Sequence, residues 1–361
     1  MGPLVTAALR DLTEMKIGNV NIGLDYDPVI IAEMSGNHNQ SLQRALDIVD
    51  SAVNAGVQLL KLQTYTPDTI TLNCNSSEFV ISNSKSLWSG RTLYDLYSEA
   101  HTPWEWQEEI ISYAHKKGIE CFSSVFDESS VDFLESLGIK GYKLASQEIV
   151  HLPLIKKIAA TGKPLIMSTG MATLSEIDEA VCTALNSGAK EIAIMKCTST
   201  YPASVKDSNV LSIPILRKIF NIEVGLSDHT LGIGAALGAI AHGATFIEKH
   251  LTLDRNDGGV DSAFSLEPNE FEKLVSESKN LKMSLGSVSF GPSKDEIPSL
   301  SGRRSIFVSQ DIQKGEKFSD NNLKIVRPNN GLHPKYFEHI IGLHAKENIK
   351  FGTPLKWDDI I

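Results

Sequence analysis

The sequence predicts an α/β protein, a (β/α)8 TIM barrel followed by a small C-terminal β-rich domain. Three observations carry this expectation. Short apolar, β-branched runs alternate with helix-period segments from about residue 28 to about residue 285. The runs number eight, the count for such a barrel, whereas a doubly wound open sheet needs no eighth unit. Beyond the last unit the composition turns to Gly, Pro and Ser, as in a linker, ahead of a final stretch of about 60 residues.

In chain order, strands are expected at Val29–Glu33, Gln58–Gln63, Glu120–Ser124, Gly141–Ala145, Pro164–Ser168, Ile192–Cys197, Glu223–Ser227 and Ala244–Lys249. Helices are expected between them, for example at Leu42–Ala55, Ser129–Leu137, Leu152–Ala160, Ser175–Asn186, Ile233–His242 and Pro268–Leu285. Gly56, Gly118, Gly138 and Gly188 read as helix stops ahead of strands, since glycine adopts the left-handed cap without a Cβ penalty. The second strand is followed by a long loop, Thr64 to Pro103, which reads either as a binding loop or as surface decoration and carries a short helix. The expected division is an N-terminal extension or strand (1–27), the barrel (28–286), a linker (287–301) and the small domain (302–361). Within that domain Asp311–Phe318 echoes Asn348–Leu355, suggesting two β-turn-β copies. A unit this small is marginal alone and needs something to pack on.

The charge is 34 Lys and Arg against 44 Asp and Glu, a net −10. That argues against a general nucleic-acid binder, yet a local cluster of lysines can still receive an anionic small substrate. Cys74, Cys121, Cys182 and Cys197 are scattered without a paired spacing and read as free thiols in a reducing cytoplasm. No apolar run is long enough to span a membrane. The stretch from Met1 to Met15 has neither the basic start nor the apolar core of a signal peptide, and Met15 could itself be a start.

A barrel of this class gathers its chemistry at the C-terminal ends of its strands. Polar residues recur there: Glu33, Lys61 and Gln63, Ser124, Lys143 with Ser146 and Glu148, Ser168, Ser199 and Tyr201, Ser227 with His229, and His250. His229 and His250 end neighbouring strands, which lie about 4.8 Å apart. They could share a divalent cation of the Mn²⁺ or Mg²⁺ kind, completed by water and substrate oxygens, or simply form hydrogen bonds. Closed structural zinc is not expected, because no thiolate pair accompanies them. Lys61 and Lys143 sit among apolar neighbours and need counter-charges. With the rim of serines they read as a phosphate cradle, or as structural ion pairs to Glu33 or Glu148. The segment Asp254–Asp261 has the wrong spacing for a calcium loop and reads as a flexible polar loop at the barrel mouth.

Several longer stretches, read together, resemble the sialic-acid synthase family, with the nearest likeness to its pseudaminic acid synthase branch. They are Ile30–Asn39, Lys61–Thr66, Thr102–Trp106, Ser168–Met171, Lys196–Pro202, Gly225–Thr230, Ile247–His250 and Phe264–Pro268. The C-terminal part, including Val326–Gly331, is similar to that family's antifreeze-like (SAF) domain. The resemblance implies a metal-dependent condensation of phosphoenolpyruvate with an open-chain N-acetylated amino sugar. The sugar implied is 2,4-diacetamido-2,4,6-trideoxy-altrose, with N-acetylmannosamine or a diacetamido-mannose derivative as the alternative. It implies catalysis by Glu33, His229 and His250, with both histidines holding Mn²⁺, Mg²⁺ or Co²⁺. Phosphoenolpyruvate would meet Lys61, Ser124, Lys143, Ser146, Ser168, Ser199 and Ser227. The sugar would meet Gln63, Phe126, Glu148, Tyr201, Asp261 and, from the partner subunit of a domain-swapped homodimer, Arg327. The chain departs from the broader family at Ser124-Val125-Phe126, where Thr-Pro-Phe is common, and at Ser199, where Asn is common. The second departure fits a different sugar.

Overall fold

The structure, a computed structural model, describes residues 15–84 and 86–361. It divides into two compact units, Met1–Gly286 and Ser287–Ile361. Of the expected N-terminal extension, residues 1–14 lie outside the described residues.

The first unit opens with a hairpin, β1 (Met15–Ile17) paired antiparallel to β2 (Val20–Ile22). Eight parallel strands then close on themselves. They are β3 (Val29–Glu33), β4 (Leu59–Thr64), β5 (Glu120–Val125), β6 (Tyr142–Leu144), β7 (Leu165–Ser168), β8 (Ile192–Cys197), β9 (Glu223–Ser227) and β10 (Phe246–His250). Closure is the parallel ladder from Phe246↔Val29 to His250↔Glu33. Around them run α1 (Leu42–Asn54), α2 (Pro67–Ile70), α3 (Leu93–Ala100), α4 (Trp104–Lys116), α5 (Glu128–Ser136), α6 (Leu152–Ala160), α7 (Leu174–Asn186), α8 (Ser212–Phe220), α9 (Gly234–Ala241) and α10 (Pro268–Leu285). Helix starts are set by local chemistry: Ser41 accepts the Arg44 N–H, Asp127 accepts those of Ser129 and Ser130, and Thr173 with Glu176 forms a capping box.

Strand side chains alternate between two faces. Outward residues pack with the helices in the larger core, for example Ile30, Leu60, Leu62, Leu144, Ile194 and Ile247. Inward residues near the strand starts form a second, separate core of Val29, Ile31, Leu59, Phe122, Ile166, Ala193, Met195 and Phe246. Met15, Ile17 and Ile22 of the hairpin belong to that inner core, so the hairpin closes the barrel floor. Gly225 lacks a side chain for a steric reason: a Cβ there would lie 2.6 Å from the Phe246 ring that fills this layer.

The second unit holds β11 (Ser305–Val308) antiparallel to β12 (Leu323–Val326), a short α11 (Phe337–Ile340) and a core of its own around Ile306, Phe318, Leu323 and Leu355. The two echoing segments pair with each other through the Ile312↔Ile349 bridge, and Asp311 accepts from Lys350 Nζ and Phe351 N–H. Arg327 follows β12 and is exposed.

Candidate active site

One step of two residues beyond the apolar floor, the inward positions become polar. Ile31 gives way to Glu33, Leu59 to Lys61, Phe122 to Ser124, Ile166 to Ser168, Met195 to Cys197, Gly225 to Ser227 and Phe246 to Glu248, with Lys143 contributed by β6. All are buried. Lys61 forms an ion pair with Glu33 and donates to Ser124 Oγ at 2.9 Å. Lys143 donates to Glu248 Oε1 at 2.6 Å, and Lys61 Nζ stands 3.7 Å from the same oxygen. Ser227 Oγ donates to it at 3.3 Å. The partner of Lys143 is therefore Glu248 rather than Glu148, because β6 faces β10 across the narrow barrel. Burial alone would lower the ammonium of Lys61, but the carboxylates of Glu248 and Glu33 outweigh it and raise its pKa. Burial wins at Lys143, whose pKa is lowered. Glu248 is pulled down, against its own burial, by the charges of Lys143 and Lys61. Ser168 Oγ is buried with no hydrogen-bond partner, a polar group facing this space unsatisfied. Ser146 Oγ accepts the Gly170 N–H at 3.1 Å, and a side chain at Gly170 would collide with Ser146 and Ser199.

Above this ring lies a cavity of about 490 Å³, lined among others by Gln63, Phe126, Glu148, Tyr201, His229 and His250. The two imidazoles stand edge to face with centroids 5.3 Å apart. His229 Nδ1 bonds the Thr198 carbonyl at 2.9 Å, so Nδ1 carries a proton and Nε2 is the ring nitrogen turned to the cavity side. His250 Nδ1 is buried without a hydrogen bond, 3.5 Å from Asp261 Oδ2. Among the described residues no group of three or more His, Cys, Asp or Glu converges as a complete metal cage. Two imidazoles, one with a buried ring nitrogen that has no partner, fit an ion whose other positions belong to water and substrate. Glu148 has its carboxyl pushed up to about 7 by burial, and its Oε2 has no partner.

The family models match in two places, the NeuB family over residues 48–290 and the SAF domain over residues 303–361. The chain belongs to the NeuB family. The pseudaminic acid synthase of Campylobacter jejuni is 42% identical over 346 residues, 96% of this chain and 99% of its own length. That of Helicobacter pylori is 41% identical over 342 residues, 92% of this chain and 98% of its own. Among solved structures, a spore coat polysaccharide biosynthesis protein of Bacillus subtilis superposes with TM-score 0.66 at 33% identity, covering 96% of this chain and 99% of that one.

In this NeuB-family chain the residues expected within the barrel gather at one mouth, except that Ser199 does not line the cavity and stands behind Cys197, its Oγ 3.8 Å from Cys197 Sγ. Arg327 lies in the other unit. The sequence places Asp228, Glu248 and Lys249 at the strand ends without a role, and does not point to Cys197 as part of the site. Glu248 is the shared anion between the two lysines, and its signal was the two-residue spacing from His250. Cys197 faces the cavity. Burial pushes its thiol up, but the hydrogen bond and charge of His229, with the charge of Lys143, bring it down to about 6. Behind the histidines, Lys249 Nζ donates to Asp228 Oδ2 at 2.8 Å and to the Thr230 carbonyl at 2.7 Å. The long loop after β4 lines the cavity with Ile70, Ile81, Trp88, Leu93 and Leu96. The Trp88 indole N–H donates to the Val260 carbonyl at 3.0 Å. The segment Asp254–Asp261 is pinned rather than flexible: Asp257 pairs with Arg44, and Arg255 pairs with Glu267 and Glu270. No helix among the described residues is long and apolar enough to cross a membrane.

Proposed function

We propose that the chain condenses phosphoenolpyruvate with open-chain 2,4-diacetamido-2,4,6-trideoxy-altrose to give pseudaminic acid, a nine-carbon 2-keto sugar acid, and phosphate. The observation that carries the reading is the convergence of Lys61 and Lys143 with a ring of serines directly beneath a histidine pair. Two ammoniums at the floor of a dry pocket recognise a phosphate far better than the same groups in water would. Lys61, Lys143, Ser124, Ser168 and Ser227 bind it, with Ser146 at the rim. The phosphate competes with Glu33 and Glu248 for the lysines, and Glu33 Oε2 becomes free as Lys61 turns to the substrate.

C3 of phosphoenolpyruvate attacks the aldehyde carbon, and the aldehyde oxygen takes up a proton. Water then adds at C2 with Glu33 accepting one of its protons, and the C–O bond to phosphate breaks as the C2 hydroxyl becomes the ketone and its proton leaves with the phosphate. A divalent ion (Mn²⁺, Mg²⁺ or Co²⁺) held by His229 and His250 would polarise the aldehyde oxygen as a Lewis acid. Gln63, Glu148, Tyr201 and Asp261 orient the sugar, and Phe126 packs against it. The apolar wall from the long loop supports a sugar bearing two acetamido groups and a C6 methyl. N-acetylmannosamine places hydroxyls at C4 and C6 instead, and these would lose water there without new partners. Arg327 of a second subunit completes the acceptor site in a homodimer. Mixing Arg327→Ala with His250→Ala subunits would then regenerate activity in mixed dimers.

Phosphate release from phosphoenolpyruvate tests the proposal. The diacetamido trideoxy sugar is expected to support turnover that a chelator abolishes. Equal or better turnover of N-acetylmannosamine would move the chain to neuraminic acid synthesis, and of the diacetamido-mannose derivative to legionaminic acid synthesis. Release insensitive to the chelator would remove the role given to the histidines.

A further inference from the structure

Ser35 has a left-handed backbone, with φ 45°, and is buried at 3% exposure. Glycine adopts that conformation freely, whereas a residue with a Cβ is strained in it. A serine here needs a reason, and its bonds supply one. Its N–H donates to Glu33 Oε1 at 3.0 Å. Its hydroxyl donates to Asp261 Oδ2 and accepts from Gln63 Nε2 at 3.2 Å. Asp261 Oδ2 in turn stands 3.5 Å from His250 Nδ1. One residue thus links the loop after β3, the end of β4 and the loop after β10, all at the acceptor side of the cavity.

We infer that Ser35 is a positioning residue for the acceptor sugar, its hydroxyl fixing the Asp261 carboxylate and the Gln63 amide relative to each other. This rests on the function proposed above. The bond to Glu33 comes from the backbone and survives any non-proline substitution, so side-chain changes isolate the hydroxyl. Nothing in the phosphate cradle touches that hydroxyl, so its loss acts on one substrate only. A residue serving packing alone would instead disturb both substrates together.

The experiment compares wild type, Ser35→Gly and Ser35→Ala in KM for each substrate and in thermal unfolding. Both variants are expected to raise the sugar KM about tenfold or more, with the phosphoenolpyruvate KM within about twofold of wild type. Ser35→Gly should unfold about 2 °C above Ser35→Ala, because only glycine relieves the backbone. A wild-type sugar KM in Ser35→Gly overturns the inference, as does a parallel rise of both KM values. A wild-type enzyme that releases no phosphate with any amino sugar overturns the proposed function, and the positioning role with it. The unfolding comparison needs no turnover; Ser35→Ala as stable as Ser35→Gly would overturn the claim of strain.

Discussion

The two ends of the same eight strands are built from opposite chemistry. At the floor, Ile31, Leu59, Phe122, Ile166 and Phe246 meet the hairpin side chains Met15, Ile17 and Ile22 in an apolar layer. Two residues further along, the same strands offer Glu33, Lys61, Ser124, Ser168 and Glu248, and β6 adds Lys143. Both layers are buried. The floor gains from burial at every position. The mouth pays desolvation for four charges and recovers it only through mutual pairing. Stability and function are therefore separated along each strand by a single alternation step, about 6.6 Å at 3.3 Å per residue.

The sharpest way to break this comparison is to damage each layer alone. His250→Ala or His229→Ala should lower phosphate release about a hundred- to a thousand-fold while the unfolding midpoint hardly moves. Phe246→Ala should do the reverse. It opens a cavity in a layer that cannot collapse, at a cost of about 3–5 kcal/mol, yet the molecules still folded should turn over. Steady-state rates and urea unfolding on the same preparations check both. If the histidine variants unfold as easily as Phe246→Ala, the two layers are not separable.

What the sequence made legible follows the same division. Val29–Glu33, Ile192–Cys197 and Glu223–Ser227 could be placed to the residue, because a short apolar run is a local signal, sharpened ahead of Ile192 by the Gly188 stop. The hairpin could not be resolved into its strands. Three-residue strands carry no periodicity, and Met15, Ile17 and Ile22 gain a burial site only once the barrel has closed above them. At the mouth, residue types and spacing revealed Lys61, Lys143 and the histidines. The partner of Lys143 did not follow, because Glu248 is 105 residues away in sequence and meets it only across the barrel. The left-handed turn at Ser35 was hidden for a similar reason: its bonds to Gln63 and Asp261 are what hold it there.

A smaller effect is expected one layer out. Asp228 and Lys249 flank the two histidines and point away from the cavity, joined in a buried ion pair. Lys249→Met leaves the Asp228 carboxylate alone in a dry site and should cost about 3 kcal/mol. Adding Asp228→Asn removes the stranded charge and should recover about 1–2 kcal/mol. Turnover should stay at least about tenfold low in both variants, since neither clamps the ends of β9 and β10. Recovery of rate together with stability would mean that the pair contributes to folding and not to the aim of the histidines.

The smallest effect comes from Glu148, whose carboxyl is held near 7 by burial against an ordinary 4.5. The folded state keeps this proton where the unfolded chain has already released it. The group therefore costs nothing below the unfolded value, and stability falls as pH rises from about 4.5 to 7. Above that window both states are ionised and the loss is constant. Glu148→Gln has no proton to lose. Its stability relative to wild type should therefore grow across the window, by about 1–2 kcal/mol at pH 8, less than the full shift because the side chain is partly exposed. Urea unfolding of both proteins at pH 5 and pH 8 measures it. Parallel profiles would mean that Glu148 is as well solvated as a surface carboxylate, and the cavity mouth would then be wetter than the ring of charges beneath it.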